Sequence, residues 1–199
     1  MHHIELDVDP SAIAQFLPLL QKGVGVAART GCSVRQFLCD QVGIADAYLD
    51  ERVQTLFLDA RPVDDVDNAI VHDGARLALS AAMPGLLGAT MRKGGRYAPF
   101  RKGISLVGGQ TAVDATDGVV TLKLFNMVAG EVGRTLLERG VQVPGQDLKR
   151  IMRQAPAMQS IRAMRTDGQA VPPTETFFLA LEDAPLWLTL RIMGDTGED

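Results

Sequence analysis

Five bases and no acid fall within eleven residues, Arg92-Lys93-Gly94-Gly95-Arg96-Tyr97-Ala98-Pro99-Phe100-Arg101-Lys102. Guanidinium forks and the N–H groups of a glycine pair are donors suited to a phosphate or a carboxylate. Tyr97 and Phe100 add flat faces on which a ring can stack. Upstream, Gly85-Leu86-Leu87-Gly88-Ala89-Thr90 lets backbone approach a ligand closely. The segment is not a Walker phosphate loop: Gly88 to Gly94 has the wrong spacing, no Lys-Ser/Thr follows, and G-x-G-x-x-G is absent too. The candidate ligand-binding residues are therefore Arg92, Lys93, Gly94, Gly95, Arg96, Tyr97, Arg101 and Lys102. The competing expectation is a solvated loop whose bases pair with the acidic run Asp64-Asp65-Val66-Asp67. Lys149, Arg150, Arg153, Arg162 and Arg165 form a second basic stretch, read either as an extension of the patch or as the polar face of helices and loops.

No catalytic constellation accompanies these bases. Cys32 and Cys39 are spaced C-x6-C, which matches no redox or zinc motif, and they are expected as small packed residues. Asp40 beside Cys39 argues against a lowered thiol pKa. Ser80 and Ser105 lie in no G-x-S-x-G elbow. His2, His3 and His72 have no metal-ligand spacing, and the acidic run lacks the pattern of a calcium loop, so no metal is expected. Glu131 and Glu138 read as ordinary helix polarity. No cofactor is implied.

The 199 residues are 46% hydrophobic and 22% charged, enough for one medium domain or two small ones with cores. The formal net charge of −4 disfavours nucleic acid as a general partner. No secretory signal or membrane-spanning stretch is evident, so a reduced, cytoplasmic location with no membrane partner is expected. A homo-oligomer is left open, with the Met- and Leu-rich stretch 77–91 as its contact or simply as core.

These residues must be positioned by the elements around them. Ile4-Glu5-Leu6-Asp7-Val8 alternates as a half-buried strand does. Asp9-Pro10-Ser11 starts a helix that Pro18 limits to a short or distorted piece and Gly23 ends. A strand follows over 24–28. Ser33 caps a helix over 34–41 with an apolar stripe at Val34, Phe37, Leu38 and Val42, and Gly43 closes it. Strands are expected over 53–58 and 76–80, with turns at Asp59–Pro62 and His72–Gly74. The glycine-rich basic stretch 83–109 reads as a connector. Beyond it come a strand over 119–128, a helix over 129–139, a short helix over 147–154, and a hairpin of 177–181 with 186–192. The tail 194–199 is expected to fray.

Three phrases carry a resemblance. Gly31-Cys32-Ser33-Val34-Arg35-Gln36-Phe37-Leu38 is similar to G-x-T/S-V-x-x-L-L, Phe57-Leu58-Asp59-Ala60-Arg61-Pro62-Val63 to V-N-G-x-x-V, and Asp73-Gly74-Ala75-Arg76-Leu77-Ala78-Leu79 to D-G-D-x-V-A-I. Together with the element order, residues 3–86 resemble the ubiquitin-like β-grasp fold, specifically the small sulfur-carrier proteins of molybdopterin and thiamine synthesis. The resemblance implies an α+β protein: an N-terminal β-grasp-like mixed sheet with one main helix (1–86), the basic connector (87–110) and a smaller α+β C-terminal region (111–199). Sulfur carriers react through the carboxylate of a terminal Gly-Gly. Here glycine pairs are internal, at Gly94-Gly95 and Gly108-Gly109, so that chemistry requires cleavage after Gly95 or Gly109.

The leading expectation is a non-catalytic binding or adaptor protein that recognises an anionic small molecule or a protein partner. The alternatives are a sulfur-carrier-like protein or precursor, and an enzyme with a site between the two halves that binds substrate through Arg92, Arg96 and Tyr97.

Overall fold

A computed structural model describes residues 2–83, 85–101, 103–106 and 115–194. The expectations for Lys102, for Gly108-Gly109 and for the tail beyond 194 lie outside the described residues. Along the chain the strands are β1 (His3–Val8), β2 (Val24–Arg29), β3 (Thr55–Leu58), β4 (Arg61–Pro62), β5 (Arg76–Ser80), β6 (Asp117–Phe125), β7 (Val141–Pro144), β8 (Ile161–Thr166), β9 (Gln169–Ala170) and β10 (Pro185–Ile192). The helices are α1 (Ile13–Lys22), α2 (Val34–Gln36), α3 (Asp46–Glu51), α4 (Gly85–Met91), α5 (Asn126–Arg139), α6 (Gly145–Met152), α7 (Ala155–Gln159) and α8 (Glu175–Ala180). The protein is a mixed α+β structure with two compact units, one formed by 1–24 with 133–199, the other by 25–132. These boundaries fall away from the expected divisions at 86 and 110.

In the first unit the strand order is β7-β10-β1-β8-β9. β1 lies parallel to β10 and antiparallel to β8, so both its edges are taken by strands from the far end of the chain. The register sets Ile4 against Leu188 and Leu6 against Leu190, all buried, which puts the apolar half of each alternation on a common face. The sequence-based β-grasp placement of this strand is thereby corrected: it joins C-terminal strands. The expected hairpin of 177–181 with 186–192 is also corrected. Residues 175–180 form α8, capped by the Thr174 hydroxyl on the Phe177 N–H, and β10 pairs with β1 and β7 instead. Pro18 does not break α1. It lies on the exposed side of the helix, as does Ala14, whose carbonyl loses its helical donor to the ring.

In the second unit the order is β4-β3-β5-β6-β2. β3 runs antiparallel to β4 and β5, and β5 runs parallel to β6. A parallel pair needs a crossover of a dozen or more residues. The glycine-rich stretch between β5 and β6 is that crossover, and its described residues include α4 and a 3-10 turn at Ala98–Arg101.

The Ser33 cap is present in reciprocal form, its hydroxyl accepting from Gln36 N–H while the Gln36 side chain accepts from Ser33 N–H. The helix it starts is wound differently from expectation. After α2 it widens into a π-helical turn over Phe37–Val42, closed by Gly43 at φ 85°. Val34, Phe37, Leu38 and Val42 are buried, and so is one face of the sheet, with Leu56, Leu58, Leu77, Leu79, Leu122 and Leu124. The other face carries Thr55, Phe57, Ala78, Ser80, Lys123 and Phe125, as the cross-strand register requires.

The β3–β4 turn places Asp59 and Ala60 in the left-handed region, at φ 49° and 63°. Asp59 holds the turn by accepting from Arg76 N–H at 2.9 Å and from His72 Nε2 at 2.7 Å. The other ring nitrogen of His72 faces the Asp73 carbonyl at 2.8 Å. Two acceptors favour the doubly protonated ring, so the Asp73 carbonyl first and Asp59 second raise the His72 pKa above its ordinary 6.5. A pKa raised on folding adds stability that is complete below the unfolded value and is lost as pH rises through the folded one. An NMR titration is expected to place the His72 midpoint above 6.5, with Asp59→Asn moving it down. A midpoint at or below 6.5 in the wild-type chain would refute the pairing.

Candidate functional site

The basic connector divides into an inward and an outward set. Arg101 is the centre of the inward set and is only 3% exposed. Its Nη1 and Nη2 donate to the two carboxylate oxygens of Asp64 at 3.0 and 2.7 Å, a bidentate fork. The remaining donors go to Ser105 Oγ at 2.7 Å and to the carbonyls of Thr90 and Arg92 at 2.7 and 3.0 Å. One side chain therefore ties the acidic run to both ends of the connector helix and turn. Gly94, in the left-handed region at φ 60°, turns its N–H onto Asp64 Oδ1 at 3.0 Å.

Lys93 also faces inward. Its N–H donates to the Gln54 carbonyl at 2.7 Å and its Nζ to the Leu49 carbonyl at 2.9 Å. Burial lowers its pKa, because the charged form loses hydration. Gly95 is packed over Arg92, where an added Cβ would lie 3.1 Å from the Arg92 carbonyl oxygen.

The outward set is Arg92, Arg96, Tyr97 and Phe100, all exposed. Neither exposed arginine has an ion-pair partner among the described residues. Tyr97 and Phe100 lie with ring centroids 6.2 Å apart. The 3-10 turn that carries Phe100 packs against α4, which exposes Leu86 and Leu87. Phe100 is 83% exposed and Leu86 76%. The connector thus exposes apolar side chains as well as two guanidinium groups with no ion-pair partner among the described residues.

No known family matches the chain. Neither a curated protein nor a solved structure matches it either.

The other sequence candidates are engaged elsewhere. Within the acidic run, Asp65 accepts from the N–H groups of Asp67 and Asn68, and Asp67 accepts from Arg35 Nε at 2.7 Å. Arg35 also holds Asp46 and Asp50, each at 3.0 Å. Among the described residues no group of three or more His, Cys, Asp or Glu is arranged to hold a metal ion. In the second basic stretch, Lys149 pairs with Asp183, Arg150 with Asp147, Arg162 with Asp9 and Arg165 with Asp7.

Cys32 and Cys39 are free thiols and half-buried, less covered than the packed positions expected of them. Burial and then Asp46 push the Cys39 thiol up to about 11, and burial raises Cys32, so both are poorly ionised at neutral pH. Glu131 accepts from the Tyr48 hydroxyl at 2.6 Å and from Arg52. Burial, then Glu131, keeps the Tyr48 phenol protonated. Among the described residues no helix is long and apolar enough to cross a membrane.

Proposed function

We propose that the protein is a non-catalytic binding module whose connector presents Arg92, Arg96, Tyr97 and Phe100 to an acidic surface of a partner protein. The observation that carries this reading is the division of the connector: one guanidinium is buried as an internal anchor while two are exposed with no ion-pair partner among the described residues. An anchored loop loses less conformational entropy on binding than a free one. The exposed aromatic and leucine side chains beside the arginines favour a protein over a small inorganic anion, because they offer apolar area that such an ion cannot cover.

The same reading moves the β-grasp module from the expected 1–86 to the second unit, 25–132. Its support is a mixed sheet with a parallel pair at β5 and β6, combined with the capped helix that the resemblance placed after Gly31. In this arrangement the crossover is part of the module, and its connector becomes the recognition loop.

The sulfur-carrier alternative has weaker support. Cleavage after Gly95 would sever the crossover that lets β6 lie beside β5, and it would part Arg92 from Arg101. Gly109 lies outside the described residues.

The test is fluorescence anisotropy with a labelled glutamate-rich peptide that carries one tryptophan. Arg92→Glu/Arg96→Glu is expected to weaken binding by about 10-fold or more at unchanged melting temperature, and Phe100→Ala to weaken it further. Wild-type affinity in the double variant would overturn the reading, as would the absence of saturable binding in the wild-type protein.

A further inference from the structure

The open face of the second unit's sheet holds a cavity of about 290 Å³, near the small end of the ~300–1,000 Å³ range of ligand pockets. Its apolar lining comes from Phe57, Ala78, Met83 and Phe125, and its polar lining from Ser80 and Asn126. Phe125 on this face is 37% exposed.

Of the two polar side chains lining the cavity, Ser80 retains an unused donor. Asn126 Nδ2 already donates to Ser80 Oγ at 3.1 Å, and the Ser80 proton has no acceptor among the described residues. Ser80 is buried. Thr55, directly opposite Ser80 in the register but outside the cavity lining, has a buried hydroxyl with no partner among the described residues. Buried donors left unpaired are costly, about 1–3 kcal/mol each, so an arriving acceptor gains what the fold lacks.

Positive potential gathers at the same place. Asn126 opens the 14-residue helix α5, whose first N–H groups carry the positive end of its dipole. It does so at φ 52°, in the left-handed region that asparagine tolerates. Lys123 stands beside Ala78 in the register, on the cavity's face, and has no ion-pair partner among the described residues. Among the described residues no carboxylate lines the cavity.

We propose that this cavity binds a small monocarboxylate with an apolar body, of the arylalkanoic or branched-alkanoic type. The body fits between Phe57, Met83 and Phe125. The carboxylate takes the Ser80 hydroxyl and faces the start of α5, with Lys123 supplying the countercharge. This site is separate from the connector surface, so either proposal can fail without the other.

The probes are 3-phenylpropionate and 3-phenylpropionamide, titrated into the full chain and followed by amide NMR shifts and calorimetry. The acid is expected to bind one site saturably and shift Ser80, Phe125 and Asn126. The amide, which lacks the charge, is expected to bind about 10-fold more weakly. Ala78→Phe, which fills the cavity, is expected to abolish binding. Lys123→Gln, at a half-exposed strand position, is expected to weaken the acid by about 3–10-fold and leave the amide unchanged, so the proposal stays testable if Ala78→Phe does not fold. The proposal is overturned by no saturable shift up to about 10 mM acid, by equal affinity for acid and amide, or by full acid affinity in folded Ala78→Phe.

Discussion

Arg101→Met is expected to destabilise the second unit by about 3–5 kcal/mol, the usual cost of breaking a buried ion pair from one side. The side chain is 3% exposed and spends its donors on Asp64, Ser105 and the carbonyls of Thr90 and Arg92. Removing it leaves a half-buried carboxylate without its charge partner and takes the guanidinium donors away from the Thr90 and Arg92 carbonyls. Arg101→Lys is expected to recover little, because one ammonium cannot form the bidentate fork to Asp64 while also reaching Thr90 and Arg92. Urea unfolding measures the loss, and limited proteolysis of 92–101 shows where it falls. A chain within about 0.5 kcal/mol of the wild type would show that Arg101 is not the anchor. If the anchor holds the recognition loop, the same variant also weakens binding of the acidic peptide without touching an exposed arginine.

A comparable effect is expected at Phe37. It is fully buried at the point where α2 widens into the π-helical turn. Phe37→Ala removes a ring from a packed core and leaves a cavity, at a cost of about 3–5 kcal/mol. Phe100→Ala is the informative contrast, since 83% of that side chain already faces solvent and its removal should change stability by less than about 0.5 kcal/mol. Denaturant midpoints of the two variants, measured side by side, check the pair. Equal losses would mean that Phe100 is structural rather than a contact residue, and the proposed binding surface would lose its aromatic centre.

Local signals in the chain carried much of the secondary structure. Ser33 with Gln36 three residues on, the stripe Val34-Phe37-Leu38-Val42 and Gly43 mark a helix by capping chemistry and period, both of which act over a few residues. The strand over 76–80 and the helix ending at Gly140 follow from the same kind of pattern. The π-helical winding was not legible, because no residue type specifies it. The helix over 175–180 was missed since Thr-Phe-Phe-Leu has strand-like composition, and the Thr174 cap outweighs it.

Amino-acid order alone determined the short-range elements, the two charge runs and the absence of a recognisable catalytic motif. It did so because capping, turn chemistry and apolar periodicity are set by neighbours three to seven residues apart. Tertiary structure decided the rest. Only pairing across more than 150 residues sends β1 to β10 and β8, and only the parallel β5–β6 pair turns a glycine-rich stretch into a crossover. Within the connector, Arg92, Arg96 and Arg101 are chemically identical. What separates one buried arginine from two exposed ones is where Asp64 meets the chain, and that depends on the fold.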